Sequence, residues 1–228
     1  MTETIRPCHI GDSWPLKKAN WAVTTESWGY LDRSTASWTK ISDERYGTIV
    51  HLKVVNTETG NAYDKIDLQW SPAAFVVIYR KNEGRTEFLL PSEKRILLKD
   101  ENGEQGNVYI RNIPQGLVKT WQNETPEEAS LREVKEETGL VPINLRRMQD
   151  IYFDAANSST AMPFFLAEVE NKKHEYNQNL DETEDICVGE GDWFAIEDIP
   201  GLRLQCAKTL SGIMLATGYL GQWSNTNG

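Results

Sequence analysis

Cysteine is scarce in this chain of 228 residues, which contains only Cys8, Cys187 and Cys206. Three scattered cysteines exclude a disulfide framework and a zinc site with four cysteine ligands. Histidine is equally rare, and the three histidines stand apart from one another without the spacing of a metal-ligand pair. Neither residue type therefore points to a metal centre.

Long apolar runs are also missing. The longest is Ala73–Tyr79, which has seven residues, whereas a membrane-spanning helix needs about 20. The first residues contain no apolar segment of the kind found in signal peptides. Together with the low cysteine content, this pattern leads us to expect a cytoplasmic protein in a reducing compartment, with no membrane partner.

Positive charge is in deficit, because 24 Lys and Arg residues face 34 Asp and Glu residues and give a net charge of −10. An acidic surface repels a phosphate backbone at long range, so we expect no nucleic-acid partner. Small phosphorylated substrates remain compatible, because a divalent cation can bridge carboxylates to phosphate. The sequence also has no Walker A loop, Rossmann fingerprint or Gly-x-Ser-x-Gly elbow.

The order of predicted elements indicates an α+β fold. Alternating apolar and polar residues over 21–55 predict two to four short strands, and 56–61 predicts a hairpin turn. Ala73–Tyr79 is predicted to be a buried core strand. Further strands are predicted at 87–90, 107–113, 151–153, 163–169 and 193–196. Helical spacing over 204–217 predicts a terminal helix that stops at Gly218. Strands that flank one central helix and precede one terminal helix do not form a repeating βαβ fold.

The central helix is the best-specified element, and it is predicted over Pro126–Thr138. Thr125 and Glu128 have the T-x-x-E spacing of a capping box, and proline suits the first helical position. Gly139 supplies the stop at the carboxyl end.

Three glutamates of this helix, Glu133, Glu136 and Glu137, fall within an arc of roughly 100°. Leu131, Val134 and Thr138 lie on the other side, where we expect them to face a core. Two interpretations compete for the acidic stripe. It is either a solvated acidic face or a site for a hard divalent cation that completes its shell with substrate phosphate.

The spacing around the stripe favours the cation site. From Gly116 to Leu140 the chain reads G-x7-E-x7-R-E-V-K-E-E-T-G-L, a coincidence expected by chance in about one chain in ten thousand. This segment resembles the Nudix box, G-x5-E-x7-R-E-U-x-E-E-x-G-U, in which U is a bulky aliphatic residue. Seven residues rather than five precede Glu124, so a strict count would place Val118 at the glycine position. We favour Gly116 with a two-residue insertion, because 113–118 is similar to the lead-in of sugar-nucleotide members.

The resemblance to the Nudix hydrolase superfamily implies an α/β/α sandwich around a mixed β-sheet. It also implies hydrolysis of the diphosphate linkage of a nucleoside diphosphate derivative, with Mg²⁺ or Mn²⁺ as cofactor. Carried over by position, Glu133 and Glu137 become the principal metal ligands and catalytic residues. Glu136 becomes a ligand directly or through water, and Gln115 a ligand through its backbone carbonyl.

The same resemblance implies roles for the remaining residues of the box. Arg132 is expected to be catalytic, since it would orient Glu133 or pair with Glu124. Gly116, Glu124 and Gly139 are expected to shape the loop and the helix end.

Segments outside the box are similar to the ADP-ribose pyrophosphatase-like branch, namely Phe88–Arg95, Phe164–Val169 and Asp181–Ile186. This similarity implies ADP-ribose or another nucleotide sugar as substrate. Members of the branch carry a strand-rich N-terminal extension that builds a homodimer. We therefore expect 1–66 to be such a β-rich dimerisation element and 67–228 to be the hydrolase domain.

Three further residues are candidate substrate contacts. Trp121 lies in the enlarged loop and can stack on a base, although core or interface packing is the usual role of tryptophan. Arg95 can meet a phosphate, although a surface arginine is an equal alternative. The branch has a further glutamate whose equivalent position here falls near Ser159 or Thr160, where the chain has no glutamate. Asp154 is the nearest carboxylate, with a loop-capping role as the alternative.

Two other functions stay open from the sequence. One is the hydrolysis of nucleoside triphosphates or dinucleoside polyphosphates. The other is a non-catalytic nucleotide-binding module. The altered glycine loop and the missing glutamate favour it, whereas the complete set of three helix carboxylates opposes it.

Overall fold

The computed structural model describes residues 13–15, 21–28, 30–32, 37–39, 47–56, 59–95, 98, 102–103, 108–171, 186–188 and 190–221. The chain divides into two compact units. The first comprises Met1–Ser71 and Asp154–Thr160, and the second comprises Pro72–Phe153 and Ala161–Gly228.

The first unit is built from strands. Their bounds are β1 (Ser13–Pro15), β2 (Trp21–Trp28), β3 (Tyr30–Asp32), β4 (Ser37–Thr39), β5 (Gly47–Asn56) and β6 (Ala62–Trp70). Four of them form an antiparallel sheet in the order β1-β2-β5-β6, and β3 pairs with β4. The four strands that begin between residues 21 and 55 confirm the predicted number. Val55 pairs with Ala62 across the predicted hairpin turn, which is also confirmed.

The short segment 154–160 joins the first unit through β6. The backbone N–H and the hydroxyl of Ser159 donate to the Asp67 carboxylate at 2.8 and 2.9 Å. The Ser158 hydroxyl donates to the carbonyl of Leu68 at 2.7 Å. Because Asp67 is buried, these bonds satisfy a charged group that would otherwise be costly to remove from water.

The second unit contains two α-helices, α1 (Pro126–Thr138) and α2 (Ala207–Tyr219). Its strands are β7 (Ala73–Asn82), β8 (Arg85–Leu89), β9 (Ser92–Arg95), β10 (Val108–Arg111), β11 (Gln115–Leu117), β12 (Asn144–Ile151), β13 (Met162–Glu168), β14 (Ile186–Cys187) and β15 (Trp193–Ala195). Short 3₁₀ turns occupy Thr120–Gln122, Glu190–Asp192 and Ile199–Gly201.

The main sheet of this unit is mixed. Its order is β12-β13-β7-β8-β15, and β11 pairs with the first residues of β7. β13 and β7 are parallel, whereas the other pairs are antiparallel. A smaller antiparallel sheet has the order β10-β9-β14.

The central strand β7 separates two apolar cores, because successive side chains of a strand point to opposite faces. Ala74, Val76 and Ile78 pack with residues of α1. Phe75 and Val77 pack with residues of α2. The two helices therefore cover opposite faces of the sheet, and each buried aliphatic or aromatic side chain contributes about 1.5–3 kcal/mol. This arrangement confirms the predicted α+β sandwich around a mixed sheet.

Three details of the sequence prediction were wrong. The strand placed at 151–153 lies at Asn144–Ile151, where most side chains are polar and exposed. The terminal helix begins at Ala207 and continues through Gly218 to Tyr219. Leu131, predicted to face the core, is exposed. Among the described residues, no helix combines the length and the apolar character that crossing a bilayer requires.

Candidate active site

Helix α1 begins and ends where its capping residues predict. The N–H of Glu128 donates to Oγ1 of Thr125 at 3.2 Å, and the N–H of Thr125 donates to the Glu128 carboxylate at 2.8 Å. The backbone N–H of Thr125, together with its hydroxyl, which donates to the same carboxylate at 2.9 Å, lowers the pKa of Glu128 below its usual value. Gly139 adopts a positive φ of 72° at the other end, a conformation that glycine accepts without steric cost. The frame that positions the glutamates is therefore confirmed.

Two of the three glutamates face inward. Glu133 and Glu137 are 7% and 6% exposed, whereas the side chain of Glu136 is 51% exposed. They share the buried side of α1 with the small residues Ala129 and Ser130. A buried carboxylate is expensive unless it is paired or coordinates a cation, so the acidic stripe is not simply a solvated face.

The backbone of β11 approaches these carboxylates closely. A Cβ atom placed on Gly116 would fall 1.7 Å from Oε1 of Glu133 and 2.5 Å from Oε2. Any other residue at 116 would therefore have to displace the glutamate. The N–H of Gln115 donates to Oε1 of Glu137 at 3.3 Å. Glycine at 116 is thus required by close approach rather than by an unusual backbone angle.

Arg132 ties the loop to the helix. Its guanidinium group donates to both oxygens of Glu124, at 2.7 and 3.1 Å, and to the carbonyl of Leu117 at 2.9 Å. Its Nη1 also donates to Glu133 at 2.5 Å and to Glu136 at 2.9 Å. The hydrogen bond with Glu124 is the main cause that raises the pKa of Arg132. The sequence left two possible partners for Arg132, and the structure shows that it contacts both Glu124 and Glu133.

The enlarged loop before Glu124 contains a compact turn. Thr120–Gln122 form a 3₁₀ turn that Asn123 ends in the left-handed conformation. Oε2 of Glu124 accepts the N–H of Lys119 at 2.7 Å. The hydrogen bond from Arg132 is the largest cause that lowers the pKa of Glu124. Val118, the other candidate for the box glycine, is buried in the core on the α1 face.

The residues present fit a hard divalent cation. Glu133 and Glu137 contribute buried carboxylates beside the β11 backbone, and carboxylate and carbonyl oxygens are the ligands that Mg²⁺ and Mn²⁺ prefer. Within the described part of the chain, no group of three or more His, Cys, Asp or Glu side chains stands ready to hold a metal ion. Arg132 pairs with Oε1 of Glu133 and with Oε2 of Glu136, and because a carboxylate accepts bonds at two oxygens, the same groups can also ligate a cation.

The three other candidate residues lie outside this cluster. Trp121 is exposed on the 3₁₀ turn. Arg95, on β9, pairs with Glu93 at 2.6 Å. Asp154 belongs to the first unit, where its carboxylate accepts the N–H of Ala156 at 3.2 Å and the side-chain amide of Asn157 at 2.8 Å. These bonds match the loop-capping alternative for Asp154.

Sequence reasoning missed two polar residues that the structure brings out. Asp67 anchors the segment 154–160, but it stands in a strand among other charged residues and has no motif around it. Lys208 lies over the aromatic rings of Phe75 and Phe153, at 5.0 and 5.6 Å from their centroids. A single lysine near the start of a helix gives no local signal, because the rings come from distant strands and loops.

Comparison with known proteins gives matches to a family model and to a solved structure. The sequence model of the NUDIX domain matches residues 70–212. No curated protein matches the chain. A solved structure, "Crystal structure of ADP compounds hydrolase", superposes with a TM-score of 0.53 and 14% sequence identity, over 95% of this chain and 97% of that chain. At such low identity, this likeness shows a common fold.

The matched residues make up more than half of the chain, and the chain belongs to the NUDIX family. It is a Nudix pyrophosphohydrolase, a hydrolase of nucleoside diphosphate derivatives. Enzymes of this family generally use divalent metal cations. The family membership predicted from the box is therefore confirmed.

Proposed function

We propose that this protein hydrolyses the diphosphate linkage of a nucleotide sugar, with ADP-ribose as the preferred substrate and Mg²⁺ or Mn²⁺ as cofactor. The observation that carries the proposal is the pair of buried carboxylates, Glu133 and Glu137, packed against the backbone of Gln115 and Gly116. The superposed structure is that of an ADP compounds hydrolase, which supports the choice of an adenine nucleotide.

Each residue of the box has a role in this proposal. Glu133, Glu136, Glu137 and the Gln115 carbonyl would hold the metal. When bound, a divalent cation polarises a phosphoryl oxygen and lowers the pKa of a coordinated water. Arg132 fixes the orientation of Glu133, and its bond to Glu124 holds the loop on the helix.

The reaction joins a water oxygen to phosphorus and breaks a P–O bond of the diphosphate linkage. For ADP-ribose the products are AMP and ribose 5-phosphate. The buried carboxylates alone would repel a phosphate. A divalent cation that they hold would offset their negative charge and attract the phosphate. Trp121, exposed on the neighbouring turn, is the proposed base-stacking residue, and Arg95 a proposed phosphate contact.

The test is hydrolysis of a substrate panel by the purified chain. The panel contains ADP-ribose, other nucleotide sugars, a nucleoside triphosphate and a dinucleoside polyphosphate, each with Mg²⁺ and with a chelator. We expect Mg²⁺-dependent release of AMP and ribose 5-phosphate, with at least a tenfold preference in kcat/KM for ADP-ribose. A higher kcat/KM for the triphosphate or the dinucleoside polyphosphate would contradict ADP-ribose as the preferred substrate and would support that alternative.

Glu137→Gln separates a catalyst from a binding module. We expect kcat to fall by about a thousandfold or more, since this change removes a charged ligand while keeping the side-chain shape. Glu127→Gln is the matched control, because Glu127 is exposed on the first turn of the same helix. If neither the parent chain nor the control cleaves any diphosphate although both bind nucleotide, the protein is a non-catalytic module.

We also propose that the first unit forms a homodimer interface. β6 lies at the end of its sheet order and carries exposed Tyr63, Ile66 and Trp70. Apolar side chains on an outer strand are a common feature of association surfaces.

A further inference from the structure

Lys208 lies over an aromatic surface on the α2 side of the main sheet. It stands in the first turn of α2 and is half-buried. Its Nζ lies 5.0 Å from the ring centroid of Phe75 and 5.6 Å from that of Phe153. Phe164 stacks on Phe75 at 5.0 Å, and both of these rings are buried. The amine has therefore lost part of its hydration, while its partial exposure leaves it open to a small molecule.

No described carboxylate pairs with this amine. Within the described part of the chain, the ammonium group of Lys208 forms neither an ion pair nor a hydrogen bond. The first turn of α2 has no acidic residue, and its N-cap residue Cys206 makes no side-chain capping bond. Glu93 influences Lys208 electrostatically, but its Oε2 already accepts from Arg95 at 2.6 Å and from Asn112 at 2.7 Å. A buried charge without a partner is unfavourable, so these surroundings favour the neutral amine.

The charges around Lys208 act in both directions, and burial decides the balance. Burial is the largest cause acting on the pKa of Lys208, and it lowers that pKa below the usual value of a lysine. Cys206 and Glu93 act in the opposite direction, whereas Arg95 lowers the pKa further by charge repulsion. The positive end of the helix dipole lies at the first turn of α2 and also disfavours an ammonium group. At neutral pH, Lys208 therefore has a larger neutral fraction than an exposed lysine.

A neutral lysine in apolar surroundings has the chemistry of a nucleophile. Lysines that are desolvated in this way form Schiff bases with carbonyl compounds. The product, once protonated, is again a cation, and the faces of Phe75 and Phe153 can stabilise it as they stabilise the ammonium group. The same surroundings therefore favour the reacting form of the amine and hold the product.

We propose that Lys208 is a covalent modification site for small aldehydes, among them the open-chain forms of simple aldoses. Its nitrogen attacks the carbonyl carbon and gives a carbinolamine, which loses one water molecule to form a C=N bond. The water takes the carbonyl oxygen and the two hydrogens of the neutral amine, and no oxidant or reductant takes part. The carboxylates of Glu133 and Glu137 belong to α1, which covers the opposite face of the sheet. The inference therefore goes beyond the proposed hydrolysis and does not depend on it.

Lys135 provides a control within the same chain. The two helices each contain 13 residues, and Lys135 is exposed in the last turn of α1, where the negative end of the helix dipole stabilises its charge. The experiment treats the full chain at pH 7 with glyceraldehyde and cyanoborohydride, which reduces each imine to a stable secondary amine. Peptide mass spectrometry then gives the labelling rate of each lysine. We expect Lys208 to react about fivefold faster than Lys135 or more, because the rate follows the neutral fraction of the amine.

The pH dependence of this ratio tests its cause. The ratio of the two rates should fall as the pH rises towards the usual pKa of a lysine, about 10.4, because both amines are then largely neutral. A parent chain in which Lys208 reacts no faster than Lys135 at pH 7 would overturn the inference. A ratio that is independent of pH would also overturn it.

A matched pair of variants changes the charge beside Lys208 without changing the amine. Ala207→Glu adds an acidic residue to the first turn of α2, and Ala207→Gln is its uncharged match. Ala207 is exposed, so both variants should fold, which thermal melts verify. We expect glutamate to slow the labelling of Lys208 by about threefold relative to glutamine, because it stabilises the ammonium form. Equal rates in the two variants would overturn the electrostatic cause given for the reactivity.

Discussion

At the scale of single residues, Gly116 is the most constrained position of the candidate site. Gly116→Ala would place a methyl group on the Glu133 carboxylate, which must then move. Because a displacement of about 1 Å can cost about a hundredfold in rate, we expect kcat to fall by about that factor while the chain stays folded. The measurement is kcat for ADP-ribose together with a thermal melt.

Gly191→Ala is the control for this change, because a Cβ at Gly191 would meet no atom within 4 Å. We expect the control to keep full activity. If kcat of Gly116→Ala stays within threefold of the parent chain, catalysis does not depend on the observed position of the Glu133 carboxylate.

Glu124 gives a prediction about pH. Its pKa is lowered in the folded chain, chiefly by the hydrogen bond from Arg132, so its stabilising effect is present above the unfolded pKa. That effect is lost as the pH falls through the lowered folded value. At pH 7, Glu124→Gln should reduce the free energy of unfolding by about 1–3 kcal/mol, because it weakens a charge-assisted pair.

Urea unfolding of Glu124→Gln and the parent chain at a series of pH values provides the measurement. The difference should shrink as the pH falls from the usual pKa of a glutamate, about 4.3, through the lowered pKa of the folded chain, because the parent carboxyl then also becomes protonated. Glu127→Gln should show a smaller difference at every pH, since its pair with Arg147 is exposed. If the difference in the free energy of unfolding stays constant with pH, the loss comes from the changed side-chain shape at 124 and not from the charge of Glu124.

At the scale of elements, the two helices show what local sequence can and cannot predict. The bounds of α1 were predictable because Thr125, Glu128 and Gly139 cap it through bonds within the same segment. The buried face of α2 could not be predicted from local sequence. Its buried side includes Gly212 and Ala216, while Leu210 and Met214 are exposed, because small residues allow a close approach that hydrophobicity does not reveal.

The site itself divides in the same way. The carboxylates of α1 could be found from spacing, since one helix carries them all. The aromatic cluster beneath Lys208 could not, because Phe75, Phe153 and Phe164 come from separate segments. Strand β12 was misplaced for a related reason, since its polar and exposed residues give no apolar pattern.

The close packing of α2 leads to a prediction about stability. A Cβ on Gly212 would lie 2.9 Å from Cδ1 of Ile113 and 3.0 Å from Cγ2 of Val77. Gly212→Val should therefore lower the free energy of unfolding by about 1–3 kcal/mol through overpacking. Leu210→Val, at an exposed position of the same helix, should change it by less than about 0.5 kcal/mol. Valine has a higher helix propensity than glycine, so propensity does not account for a loss at 212. A Gly212→Val chain as stable as the parent in urea unfolding would contradict the overpacking.

At the scale of the whole molecule, the proposed homodimer predicts a sedimenting species of twice 26.0 kDa. Tyr63→Lys, on the outer strand of the first unit, should shift the equilibrium towards the single chain, because a buried lysine without a partner is unfavourable at an interface. Tyr152→Lys is the control, since Tyr152 is similarly exposed in the second unit. A parent chain that sediments at 26.0 kDa over micromolar concentrations would contradict the dimer.

Because 154–160 belongs to the first unit, the backbone passes from one unit to the other three times. Neither half is a continuous stretch, and no single cleavage point would release an intact hydrolase. Cutting the chain after Ser71 would strip Ser158 and Ser159 of the acceptors on Leu68 and Asp67. Excision of the amino-terminal portion would therefore remove the hydrogen-bond acceptors on which the segment 154–160 depends.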